Sequence, residues 1–305
     1  MRRLFLLLAT VALATAAPQK IRVLLVDGQN NHDWQPTTAW LKQFLTTSGR
    51  CTVDVSTTPP REVPATDPAW TAWRPKFSDY DVVLSNFNGG HQPDAPRWPR
   101  EVEVAFEHYV RSGGGFVSFH AANNAFLAWS AYNEIVGLLW RGKAFGPSLI
   151  VDENDKIVVV PTGAGRNAGH PPRSTFQMST RPTEHPITHG FPKKWLHPSE
   201  QLTHGQRGPE SVVTSGALTV LTYARDEALK ENEPMDWVRT FGQGRVYVTM
   251  LGHTWKNEEP NNPNLHCVGF QTLFLRGVEW AATGAVTVPL PPDFPTAEKI
   301  SVRPD

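Results

Sequence analysis

An α/β fold with a doubly wound, mostly parallel sheet flanked by helices is predicted by three observations. Short continuous apolar runs recur (IRVLLVD, YDVVLSNF, GFVSF), as in strands buried on both faces. Stretches of helical period separate them. The runs end in polar segments, where open α/β sheets place their ligands.

The elements follow in order. Ile21–Asp27 ends at Gly28 and reads as the first strand. Residues 36–47 carry Trp40, Leu41, Phe44 and Leu45 at helical spacing, and residues 51–56 alternate like a strand. Residues 80–87 form the next buried strand. Residues 99–112 place Val102, Phe106, Tyr109 and Val110 on one helix face, and the strand 115–120 follows. Strands are expected at 156–160, 217–224 and 244–250, with an amphipathic helix at 265–282. Residues 161–172 are rich in Gly and Pro. The reading is one domain over residues 17–285 with a loop-rich insertion about 161–215, then a charged, Pro-rich tail over 286–305.

Arg2 and Arg3 precede an apolar run to Ala14, and Ala14-Thr15-Ala16 has the small-x-small form of a cleavage site. Residues 1–16 therefore read as a secretory signal peptide, and the mature chain as secreted or periplasmic. Without Arg2 and Arg3 the net charge is about −2. That balance gives no reason to expect nucleic acid or an anionic membrane as a partner. Cys51 and Cys267 cannot make a disulfide scaffold. They read as free thiols, with pairing left open.

The most informative stretch is GGGFVSFHAANN, residues 113–124. A turn from strand end into helix lifts one side chain out of the sheet, as at the nucleophile elbow of hydrolases. Here the lifted residue is His120, so acid–base or metal-assisted chemistry is expected rather than acyl transfer. Three further strand ends carry DGQNNHD (27–33), NFNGGH (86–91) and GHTW (252–255). In a doubly wound sheet these loops converge, bringing His32, His120 and His253 together. An imidazole titrates near neutrality or, when neutral, binds a metal. No HExxH, CxxC pair or EF-hand loop occurs. The triple glycine precedes a strand rather than following one, which excludes a dinucleotide fingerprint. Loop tryptophans such as Trp255 suit stacking on sugar rings.

VLLVDGQNNHDW, YDVVLSNFNGG, GGGFVSFHAANNAF, EHPITHGF, HPSEQLTH and GRVYVTMLGHTW occur in that order. They resemble the ThuA-like trehalose-utilisation family, of the class I glutamine-amidotransferase-like (flavodoxin-like) superfamily, from about Ile21 to Thr283. Amidotransferases of this fold carry a cysteine at the elbow. His120 stands there, so the resemblance implies that glutaminase chemistry is absent. HPSEQLTH corresponds to a segment that usually reads Asp-Glu-Leu-Tyr; Glu200 matches its glutamate, while Ser199 and Gln201 depart. The resemblance implies sugar metabolism, with disaccharides or their keto forms as ligands.

These readings make the chain an enzyme in expectation. His120 and His253 would move protons beside a carbonyl, with Glu200 as base or as the group that orients a histidine. Asn30, Asn86 and Asn123 would bind hydroxyls, and His32 and Trp255 would contact substrate. Elimination, hydrolysis and isomerisation remain open. The alternatives are a carbohydrate-binding module without catalysis and a metal-dependent hydrolase using His32, His120 and His253. No cofactor is otherwise predicted. The expected partner is a small-molecule carbohydrate, with a homo-oligomer left open.

Overall fold

A computed structural model describes residues 19–95, 97–256 and 262–303; the expected leader at residues 1–16 lies outside them. The elements are β1 (Ile21–Asp27), α1 (Trp34–Thr47), β2 (Cys51–Thr57), α2 (Pro68–Ala72), β3 (Val82–Ser85), α3 (Arg100–Arg111) and β4 (Gly115–Phe119). Then come α4 (Ser130–Val136), β5 (Ser148–Val151), β6 (Ile157–Val160), β7 (Ser174–Thr180), β8 (Lys194–Glu200) and α5 (Glu210–Val213). The chain ends with β9 (Thr219–Asp226), β10 (Glu231–Phe241), β11 (Gly244–Thr249) and α6 (Val268–Thr283).

The strands form one 11-stranded sheet in the order β2-β1-β3-β4-β11-β10-β9-β7-β8, with β5 and β6 paired beside β10. The α/β class holds, and the sheet is mixed. From β2 to β11 neighbouring strands are parallel, because helical crossovers connect the first four of them. From β11 to β8 every pair is antiparallel. Short turns join β9 to β10 and β10 to β11, and a short turn can only reverse the chain.

The expected loop-rich insertion contains β7 and β8, so it extends the same sheet. Their sequences, STFQMST and KWLHPSE, are polar or carry a proline and lack the buried-strand pattern. Pro198 is tolerated because β8 ends the sheet order, where a missing donor costs no ladder bond. Pro234 lies within β10 beside a register shift against β9. A bulge is where a central strand accepts proline.

Helices cover both faces. On β4, Phe116 meets Phe106 of α3 at 5.0 Å, while Phe119 meets Phe274 of α6 at 5.6 Å. The two rings point to opposite sides, as the strand period requires for residues three apart. Trp40 and Phe44 of α1 stack near Phe270 and Phe274, so α1 and α6 share a layer. The tail packs onto the body: Val302 bridges to Cys267, and Phe294 packs against Phe191 and Trp195. Cys51 and Cys267 are both free and buried. No helix among the described residues is long and apolar enough to cross a membrane.

Helix α6 approaches β11 through Gly277, where an added Cβ would stand 2.2 Å from the Tyr247 ring. That ring is fully buried and its hydroxyl donates to Asp236 at 2.7 Å, so it cannot swing aside. Glycine to alanine inside a helix ordinarily gains about 1 kcal/mol. Forcing a methyl into a filled core costs about 1–3 kcal/mol. Gly277→Ala is therefore expected to lower the urea midpoint, by up to about 2 kcal/mol of stability. An unchanged or raised midpoint contradicts this packing.

Candidate functional site: a three-histidine crevice

Three strand ends deliver the three imidazoles. His120 follows β4 directly with φ +43, a left-handed conformation that is strained for a residue with a side chain. It opens a short 3-10 turn over His120–Asn124 rather than an α-helix. His32 sits in the loop between β1 and α1, and His253 in the loop after β11. Gly252, with φ +103, makes that second turn. An added Cβ there would meet the Phe119 ring at 2.2 Å, so glycine lets His253 approach the end of β4.

The rings meet edge to face. Centroid separations are 4.8 Å for His32–His120, 5.0 Å for His32–His253 and 5.3 Å for His120–His253. One ligand nitrogen from each lies within 4.8 Å of the others. His120 Nε2 faces His32 Nε2 at 3.3 Å.

Hydrogen bonds fix where the protons sit. His120 Nδ1 lies 2.6 Å from the Met250 carbonyl, which can only accept, so Nδ1 carries the proton. The backbone N–H of Gly90 donates to Asn88 Oδ1, which turns the Asn88 amide nitrogen onto Asn31 Oδ1 at 2.7 Å. Asn30 Nδ2 donates to the Asn86 carbonyl. The oxygens of Asn30 and Asn31 thus face His32 Nδ1, at 3.3 and 3.1 Å. That nitrogen too is the protonated one. In the neutral rings, both Nε2 atoms present lone pairs to each other.

Both rings are held neutral. Burial pushes His32 well below the usual imidazole range, and the other two histidines push it further. Burial also lowers His120, against the opposing pull of Glu200 and the Met250 carbonyl. Two acceptors at 3.3 Å repel unless a cation lies between them. Nitrogens bound at about 2.0–2.1 Å to a tetrahedral ion stand about 3.3–3.4 Å apart. Each Nδ1–H on a carbonyl oxygen is also the support that a metal-binding histidine receives in proteins. His32 and His120, neutral, fixed in tautomer and at this separation, fit two ligands of a divalent ion, with a His253 nitrogen within 4.8 Å as the third.

Glu200 is fully buried at the end of β8. Its carboxylate accepts from the backbone N–H groups of Gln201, Gly252 and His253, at 2.7, 2.6 and 3.2 Å. Asn264 Nδ2 at 3.0 Å and His197 Nε2 at 3.3 Å complete five donors. The expectation of Glu200 as a base meets a saturated, enclosed group; its placement suits the other expectation, orienting the segment that carries His253. Burial alone would raise the carboxyl, but the donors, led by His197, hold it down at about 2. Burial likewise opposes the proton on His197, yet Cys267 and Glu200 raise it to about 9.

The amides expected to bind hydroxyls have other uses. Asn30 positions His32, as above. Asn86 donates to the Trp34 carbonyl and Thr38 Oγ1, tying α1 to the end of β3. Asn123 donates to Gln206 and is fully buried. None of the three lines the crevice beside the histidines. That crevice, about 160 Å³, is lined instead by Asn124, Gln201, Thr203, Trp140, His91 and His170 with His32 and His120. Trp255 stands at its edge, 45% exposed, its ring stacked over His253 and edge-on to His32. Asn124 and Gln201 lay inside segments the sequence flags. Thr203 lies in HPSEQLTH as well, while Trp140 and His170 carry no local signal and arrive with the added strands.

Replacing Glu200 by Gln should cost about 3–5 kcal/mol at pH 7, as when one partner of a buried pair is removed. The folded carboxyl lies below its unfolded value of 4.5, so its contribution is whole above that pH and is lost as pH falls toward about 2. Denaturant titrations of Glu200→Gln and wild type should therefore converge below pH 4.5. A gap that stays constant, or is absent at pH 7, contradicts this role.

Comparison with known proteins agrees with the architecture. The ThuA family, described as trehalose utilisation, matches residues 22–281. A ThuA-like protein from Parabacteroides merdae has a similar solved structure, with 35% identity, TM-score 0.83, and coverage of 93% of this chain and 98% of that one. A ThuA-like protein from Bacteroides uniformis shares the fold at 15% identity and TM-score 0.55, over 90% of this chain and 98% of that one. Among the curated proteins no match was found. The chain belongs to the ThuA, trehalose-utilisation, family.

Proposed function

We propose that this protein is an exported enzyme acting on a disaccharide or keto-glycoside, using a divalent ion held by His32, His120 and His253. Family membership supports carbohydrate metabolism. Export rests on the leader-like sequence at residues 1–16. The observation that carries the metal reading is the pair of lone-pair nitrogens facing at 3.3 Å.

This reading displaces proton transfer by His120 and His253 themselves. An imidazole whose proton affinity is lowered by burial is a poor general acid at neutral pH. Glu200, with all its acceptor positions engaged, has no means of reaching a substrate proton. A divalent ion in such a site polarises a carbonyl or hydroxyl oxygen and lowers the pKa of bound water to about 7. The chain's own residues hold the geometry. Met250 and the Asn30–Asn31 pair fix two rings, and Glu200 fixes the backbone of the third. A binding module would use Trp255 but has no need of three converging imidazoles. Elimination, hydrolysis and isomerisation beside a carbonyl are all open to this arrangement.

Incubation with 3-keto-trehalose, followed by NMR, should show product formation that a chelator abolishes and added Zn²⁺, Mn²⁺ or Co²⁺ restores. His32→Ala and His120→Ala should each lower the rate by about 10²-fold or more, since the ion contributes several kcal/mol. Turnover that survives both the chelator and the substitutions contradicts the proposal.

A further inference from the structure

Two cavities meet at the histidines. The inner one is the crevice of about 160 Å³. An outer groove of about 790 Å³ shares Asn31, His32 and Trp255 with it. Their chemistry differs. Among the described residues no Asp, Glu, Lys or Arg lines the inner crevice. The outer groove is bordered by Asp33, Arg61, Glu62 and Lys256.

Polar atoms in the inner wall lack partners. Asn124 Oδ1 and Thr203 Oγ1 are buried without a hydrogen bond, in residues 8% and 1% exposed. Leaving such an atom unsatisfied costs about 1–3 kcal/mol. A ligand that bonds them removes that cost. Gln201, 7% exposed, adds an amide to the same wall. The wall is rigid. Gln201 N–H is held by Glu200, and His204, next to Thr203, exchanges two backbone bonds with Gly169. Asn124 sits where Arg141 grips its carbonyl at 2.7 Å. Together these groups offer hydroxyl, amide and carbonyl functions with no formal charge, which suits ring hydroxyls, each both donor and acceptor.

Size sets a second limit. The crevice holds about five waters at about 30 Å³ each, which suits one sugar ring and not two. We propose that it is the subsite for a single uncharged, hydroxyl-bearing ring, recognised by Asn124, Gln201 and Thr203, and that the second unit of the substrate lies in the outer groove. The linkage then passes over the rim that Asn31, His32 and Trp255 share, beside the three imidazoles. This rests on the carbohydrate reading above and narrows it to unphosphorylated glycosides whose inner ring carries free hydroxyls.

Calorimetry on the full chain as purified, with 3-keto-trehalose and trehalose as probes, tests the assignment. Thr203→Val and Gln201→Leu, close in shape to the native side chains, should each weaken binding about ten-fold, the loss of one hydrogen bond. Metal content and near-ultraviolet circular dichroism should match wild type. Methyl glucoside 6-phosphate should bind at least ten-fold more weakly than methyl glucoside. Wild-type affinity in both variants, equal binding of the phosphorylated ring, or no binding of either disaccharide by wild type overturns the subsite. Sugar binding that is sensitive to both substitutions in a protein without metal upholds the subsite and removes the metal reading instead.

Discussion

The site depends on one constraint: two imidazole nitrogens, each with its proton committed elsewhere, stand 3.3 Å apart with lone pairs facing. Neither ring can turn to relieve this without losing its own carbonyl partner. For His120 that partner is Met250 at the end of the neighbouring β11; for His32 it is a relay running through Asn31 and Asn88 to the backbone of Gly90. Burial removes the ordinary remedy, protonation of one ring. A site built this way is organised in advance for the cation proposed above.

The sheet explains why such distant residues can be held so closely. Parallel strands β1, β3, β4 and β11 all end at the same edge, and each hands its next residues to the crevice. The antiparallel extension then supplies the opposite wall. Strand β8 ends in Glu200, whose carboxylate reaches back to the N–H groups of Gly252 and His253. The edge of the mixed sheet thereby sets the position of His253, which belongs to its centre. Helices play no direct part in this contact; they bury the faces and leave the strand ends exposed to one another.

Much of the parallel half was legible in the sequence, because strands buried on both faces are continuous apolar runs and need no context. His32, His120 and His253 could be picked out since each follows such a run. The antiparallel half was largely hidden. ENEPMDWVRTF and KWLHPSE carry charge and proline and become strands only through their neighbours and, in the first, a bulge. Side-chain direction was hidden as well. Asn30, Asn86 and Asn123 occupy the expected loops, but their amides turn inward to satisfy buried carbonyls and hydroxyls. The groups facing the crevice include Trp140 and His170, which no local pattern marks. Glu200 was found by resemblance; its five donors could not be, since they come from three separate segments.

The most direct test is an anomalous-scattering crystal structure of the protein purified without chelator. The account predicts one strong peak about 2.0–2.1 Å from His32 Nε2 and His120 Nε2 with His253 as the third ligand. It also predicts no comparable peak elsewhere in the chain. A site holding only water, with the two Nε2 atoms more than 4 Å apart or with His120 Nδ1 released from Met250, would contradict it.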